Sequence, residues 1–163
     1  MIQTGKRISP FLWFDQDAEE AALFYTGIFR DSGIRSITRY PPNGPAPAGH
    51  VMTVTFELDG QQFTALNGGP AFPFTEAVSF VVYCDTQDEI DHYWDALIEG
   101  GTASACGWLK DKYGLSWQIT PIQITEMYSS ANEAGKNRAF QAMMTMVKLD
   151  LKKLQDAFDG KSQ

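Results

Sequence analysis

The 163-residue sequence predicts an α+β protein made of two copies of a strand-helix-strand-strand-strand (βαβββ) unit followed by C-terminal helices. The first observation is an internal repeat: a shift of 70 positions pairs Ser9 with Ser79, Trp13 with Tyr83, Asp15 with Asp85, Phe24 with Trp94 and Ile28 with Ile98. The second is that a shift of 54 pairs Gly60 with Gly114 and Phe63 with Trp117, so the tails of the two copies align as well. The third is that each copy opens with a short β-forming run and then a helix-start signal. Residues 1–70 form the first module, 71–121 the second and 122–163 a helical extension, together read as a single domain.

Residues 8–14 read as a buried strand, and Asp17-Ala18-Glu19-Glu20 has the form of a capping box opening a helix whose apolar stripe is Ala21, Phe24, Tyr25 and Ile28. Residues 35–40 and 53–56 are β-formers on either side of the proline- and glycine-rich run 41–49, an exposed loop that supplies much of the extra length of the first copy. Asp59-Gly60 is a turn before a strand at 62–66, and Asn67-Gly68-Gly69-Pro70 begins the connection between the copies. In the second copy, residues 78–84 form a strand and Thr86-Gln87-Asp88-Glu89 a capping box. The helix stripe of Ile90, Tyr93, Trp94, Leu97 and Ile98 then ends at Gly100-Gly101. Tyr113-Gly114 turns into a strand at 116–120. Residues 139–147 and 150–158 carry helical patterns, the latter capped by Asp150 with Leu151, Leu154 and Phe158 as its stripe.

Composition excludes several classes of partner. A net charge of −7 disfavours nucleic acid and anionic membrane surfaces, which need clustered Lys and Arg. No run reaches the length that spans a bilayer and no signal-like stretch opens the sequence, so a cytoplasmic protein is expected. Cys84 and Cys106 are far apart and form no metal-binding spacing, so free thiols are expected.

The runs Ile8-Ser9-Pro10-Phe11-Leu12-Trp13-Phe14-Asp15, Ala18-Glu19-Glu20-Ala21, Leu66-Asn67-Gly68-Gly69-Pro70 and Cys106-Gly107-Trp108-Leu109-Lys110-Asp111-Lys112-Tyr113-Gly114 together resemble the PhnB-like family. That family is labelled 3-demethylubiquinone-9 3-methyltransferase and belongs to the glyoxalase/bleomycin resistance/dioxygenase (vicinal oxygen chelate) superfamily. The C-terminal Gln141-Ala142-Met143-Met144 is similar to family members as well. The resemblance implies a U-shaped mixed sheet around a cavity and a homodimer, for which Phe140, Met143, Met144 and Val147 offer an apolar surface. In metal-dependent relatives one ligand, usually His, Glu or Gln, lies on the first and last strand of each unit. Those places fall at or within one residue of Ser9, Thr64, Ser79 and Gln118, a poor set for a divalent ion, so no metal is expected. No strand is followed by a glycine-rich turn into a helix, so S-adenosylmethionine is not expected and no cofactor is assigned.

Strand alternation puts Phe11 and Trp13 with Ser9, and Val81 and Tyr83 with Ser79, on the presumed cavity face, where they either line a ligand site or pack against one another. The ligand-binding candidates are Trp13, Asn67, Ser79, Tyr83, Cys106, Trp108 and Gln118. Asn67 offers a donor and an acceptor at a strand end, or stabilises the Gly68-Gly69 turn. Cys106 sits where a strand runs along the cavity rim, as a nucleophile or an inert buried thiol. His50, at a loop junction, reads as a surface residue or an acid-base group, and His92 as part of a solvated helix face. Trp117 and Phe63 read as packing residues, and the loop 41–49 as a lid. The functional expectation is a protein that binds or transforms a small, partly aromatic or apolar molecule in a metal-poor cavity. The alternatives are a metal-dependent lyase or dioxygenase and a non-catalytic, antibiotic-sequestering dimer. No catalytic residue is assigned.

Overall fold

The computed structural model describes residues 7–161, which fall into two compact units, one reaching to Phe74 and one beginning at Thr75. The first contains β1 (Phe11–Phe14), α1 (Ala18–Ile28), β2 (Gly33–Arg39), β3 (Val51–Leu58) and β4 (Gln61–Asn67). Its four-stranded sheet has the order β1-β4-β3-β2, with β1 parallel to β4 and the other pairs antiparallel. Helix α1 turns Ala18, Ala21, Ala22 and Tyr25 inward, and the three alanines let it lie close to Val54, Phe56 and Ala65 of the sheet. The Phe56 ring stacks with Tyr25 at 6.3 Å and with Phe63 at 5.5 Å between centroids. Burying the Phe56 side chain in this way contributes about 2–3 kcal/mol.

Two sequence expectations for this unit are corrected. Strand β1 starts at Phe11 rather than at position 8: Pro10 has no N–H to add to a ladder, its carbonyl accepts Thr64 N–H at 3.1 Å, and Ile8 is exposed. Asp17 does not cap α1. Its side chain makes no cap bond, and Ala18 N–H donates to Asn67 Oδ1 at 2.8 Å, so the cap comes from 49 residues downstream.

The second unit repeats the order with β5 (Ser79–Cys84), α2 (Gln87–Leu97), β6 (Thr102–Ala103), β7 (Trp108–Lys110) and β8 (Ser116–Pro121), and its sheet runs β5-β8-β7-β6. Phe11 faces Thr64 in the first sheet, and Val81 and Gln118, reached by the shifts of 70 and 54, face each other in the second. Here the expected cap is present: Thr86 accepts from Glu89 N–H at 3.3 Å while Glu89 reaches back to Asp85 N–H at 2.8 Å. Ile90, Trp94 and Leu97 of α2 pack toward Leu109, Trp117 and Ile119.

Three helices follow: α3 (Gln123–Ser129), α4 (Glu133–Met144) and α5 (Leu151–Asp159). Ile124, Met127, Ala139, Leu149 and Leu154 form their shared core, with Met143 and Phe158 packed against it. Helix α5 is capped by Asp150, which accepts Lys153 N–H at 3.0 Å, as its sequence predicts. Helix α3 is not visible in the sequence pattern, because two buried residues in seven make no stripe. Helix α4 begins six residues earlier than its stripe, at Glu133 rather than position 139, capped by Asn132 accepting from Gly135 N–H at 2.9 Å. Phe140, Met144 and Val147 remain exposed. Among the described residues no helix is long and apolar enough to cross a membrane.

Candidate functional site

The side of the second sheet away from α2 carries Ser79, Val81 and Tyr83 of β5, Ser116, Gln118 and Thr120 of β8, and Trp108 and Lys110 of β7. Cross-strand pairing puts Val81, Gln118 and Trp108 in one row, since each faces the next directly. This is the aromatic face that strand parity predicts: Leu109, Trp117 and Ile119 are buried on the other side, while Tyr83 is 55% and Val81 40% exposed. Gln118 donates an amide N–H to the Ser79 hydroxyl at 2.9 Å, which fixes the orientation of its carbonyl. Gln118 Oε1, Trp108 Nε1–H, the Tyr83 hydroxyl and the Thr120 hydroxyl have no hydrogen-bond partner among the described residues, and the buried Ser116 Oγ has none either. Of the seven predicted residues, Ser79, Tyr83, Trp108 and Gln118 therefore share one face of one sheet.

Trp13 and Asn67 belong to the first unit. Trp13 donates its indole N–H to Gly69 O at 2.8 Å and meets Phe72 edge-on at 5.0 Å. Asn67 is a structural tie: beyond its bond to Ala18 it donates to Val51 O at 3.1 Å, and its own carbonyl accepts the Tyr40 hydroxyl at 2.6 Å. Around this tie the proline-rich segment covers a pocket of about 500 Å³, lined by Asp15, Glu19, Tyr40, His50, Asn67 and Gly68. His50 is exposed at its rim. His92 is exposed on α2 and stands edge-on to Tyr93 at 4.9 Å.

Cys106 is not on a strand. It lies with Gly107 in a two-residue turn between β6 and β7, both at positive φ (58° and 82°), as a type I′ turn requires, closed by Trp108 N–H on Ala105 O at 3.1 Å. Its thiol lies 3.7 Å from Met144 Sδ. Cys84 is fully buried, and that desolvation, reinforced by Glu89 and Asp85, pushes its thiol up to about 12. A larger concavity, about 1260 Å³, opens between α2 and the C-terminal helices. Its charges are satisfied internally: Lys148 pairs with Asp91 at 2.9 Å and Asp95 at 3.0 Å, and Gln87 bonds to Leu149 O and Leu151 N–H.

Sequence reasoning missed Asp111. Its carboxylate is buried and accepts from Tyr113 N–H, Leu115 N–H and Trp117 Nε1–H. The signal available was an Asp three residues ahead of Gly114 in a turn.

The description 3-demethylubiquinone-9 3-methyltransferase matches residues 6–120. The chain belongs to that family. A PhnB protein of the same description from Bacillus cereus is 41% identical, with 71% of this chain and 99% of that chain covered and a TM-score of 0.66. Protein PA1353 from Pseudomonas aeruginosa is 21% identical over 71% of this chain and 97% of that one, at a TM-score of 0.59. The fosfomycin resistance protein FosX from Listeria monocytogenes shares the fold at 12% identity, with 80% and 100% coverage and a TM-score of 0.57. No curated protein matches. The fold of this family member is thus that of the vicinal oxygen chelate proteins, as the sequence resemblance implies.

A divalent metal does not fit the residues at the places the superfamily uses. In the first unit Ser9 Oγ is spent on Gln62 O at 2.7 Å and Thr64 is a neutral hydroxyl; in the second, Gln118 and Ser79 bond to each other. Among the described residues no three of His, Cys, Asp and Glu are placed to hold an ion. S-adenosylmethionine is equally poorly matched, because β1 and β5 enter their helices through Asp15-Gln16-Asp17 and Asp85-Thr86, with no glycine to admit a ligand against the helix start.

Proposed function

We propose that this family member binds a small, neutral, partly aromatic molecule on the open face of its second sheet, without a metal. The observation that supports the reading is the pairing of exposed Tyr83 and Val81 with unpaired polar groups on the same face: Gln118 Oε1 as acceptor and Trp108 Nε1–H as donor. An apolar aromatic wall with a few oriented polar groups is the usual make-up of a small-molecule site. Among the described residues the one charged side chain on this face of the strands, Lys110, is paired with Glu76, which supports a neutral ligand. The hydroxyls on the face have no His, Asp or Glu of the described residues among their hydrogen-bond partners to activate them, which supports binding. A homodimer is part of the same reading, supported by the family resemblance and by the exposed Phe140 and Val147; light scattering at about twice 18.2 kDa tests it.

A ligand-detected magnetic resonance screen of neutral, cationic and anionic aromatic fragments tests the site. Neutral fragments are expected to dominate the hits, and Tyr83→Ala and Gln118→Ala, both folded, each weaken them by about 1–3 kcal/mol. Hits whose affinity is untouched by both substitutions would remove this face from consideration.

A further inference from the structure

Cys106 and Met144 bring two sulfurs to 3.7 Å from segments 38 residues apart. The main chain builds this approach: the N–H groups of Cys106 and Gly107 donate to the carbonyls of Met146 and Val147, both at 2.8 Å, and clamp the turn onto the segment just after α4. The clamp holds Cys106 at φ 58°, a conformation that Asn or Gly adopts with less strain. A third sulfur belongs to Met143, the residue before Met144 in the last turn of α4, and it accepts the Tyr128 hydroxyl at 3.6 Å. Burial, and after it the charge of an ionised Cys106, raises the Tyr128 pKa. The donors gathered here are thiol, thioethers and one phenol.

Thioether donors select soft ions of the Cu(I) type, manganese and magnesium prefer oxygen, and zinc, which also takes thiolate, is held by sets of Cys, His or carboxylate ligands that one thiol with thioethers does not supply. With metal–sulfur bonds of about 2.3 Å, two sulfurs 3.7 Å apart subtend an angle of about 107° at a shared ion, close to the tetrahedral value. We propose that Cys106 and Met144 form a binding site for a soft monovalent cation of the Cu(I) or Ag(I) type, with Met143 completing the sulfur set when it turns from Tyr128. On binding, the Cys106 thiol releases its proton to solvent and its sulfur lone pair forms the bond to the ion. No electron changes hands.

The test is titration of the reduced, oxygen-free protein with Ag(I) by calorimetry and with Cu(I) against a chromophoric chelator. One tight equivalent per chain is expected, with proton release, and it persists in Cys84→Ala, whose thiol is buried. Cys106→Asn, chosen because Asn suits the turn, is expected to weaken binding on the order of 100-fold and Met144→Leu about tenfold, while Zn(II) binds no tight equivalent. Melting curves confirm that the variants fold. Binding that is unchanged in Met144→Leu, lost in Cys84→Ala, or absent in the parent protein overturns the site.

Discussion

Trp117 donates its indole N–H to Asp111 Oδ2 at 2.9 Å, and the pair is buried to 2% and 3% exposure. The other carboxylate oxygen holds the N–H groups of Tyr113 and Leu115 at 2.9 and 3.1 Å, so one side chain ties the turn before β8 to the core. Asp111→Ala strands these donors and is expected to cost about 3 kcal/mol, whereas Asp111→Asn, which keeps an acceptor, costs about half as much. Urea denaturation measures both, and equal stability of Asp111→Ala and the parent would remove the tie.

Cys84 and Cys106 are expected to differ in reactivity. In the folded protein a disulfide reagent should consume one thiol quickly, that of Cys106, and the second only on unfolding. The sign of the pH dependence follows from burial. The folded state holds Cys84 as a thiol up to about 12, above its ordinary 9.0, so its contribution to stability is full below pH 9 and is lost as the pH rises toward 12. Cys84→Ala should show a shallower alkaline decline than the parent, and parallel curves would refute the assignment.

Gly68 sits against the Trp13 ring so closely that an added Cβ would overlap it. Gly68→Ala therefore has to displace the indole and its bond to Gly69 O, at an expected cost of about 1–3 kcal/mol. Trp13 fluorescence should shift to longer wavelength in the variant; a parental spectrum with parental stability would show that the ring has room to move.

Gln87 joins α2 to the start of α5 by accepting Leu151 N–H at 2.9 Å and donating to Leu149 O and Asp91. Gln87→Ala is expected to raise amide hydrogen exchange across residues 145–159 while leaving β5 and β8 protected. Lys148 supports the same joint by holding Asp91 below its ordinary 3.8, so this contribution is present above that value and is lost as the pH falls beneath it. Exchange in α5 that is indifferent to both changes would show that the helix is held by its apolar face alone.

What could be read from the sequence was what depends on periodicity and on short range. Alternation places Leu12, Phe14 and Trp117 toward the helix-facing core and Tyr83 and Val81 on the other face, and the two repeat shifts relate residues that occupy matching positions in the two sheets. What escaped depends on groups distant in sequence. The Asn67 side chain replaces Asp17 as the α1 cap because the fold delivers an amide there, and no local pattern announces it. The strand expected at Cys106 is a turn instead, because carbonyls of the segment after α4, distant in sequence, hold its backbone N–H groups. Of the candidate site, Ser79 and Tyr83 follow from parity and Gln118 from alternation together with the family resemblance, whereas the saturation of Asn67 and Trp13 by main-chain partners does not.

Strands β2 and β3 are joined by residues 40–50, while their counterparts β6 and β7 are joined by residues 104–107. Both connections close on equivalent antiparallel ladders, so the module tolerates either a hairpin or a long excursion at this point. The long version is anchored at its ends, by the Tyr40 hydroxyl on Asn67 O, by Tyr40 N–H on His50 O and by Gly49 N–H on Tyr40 O, and its interior is left to its own turns. It behaves as an interchangeable cassette: its length and composition can be rewritten between fixed posts, altering what the neighbouring pocket admits while the sheet beneath keeps its pairing.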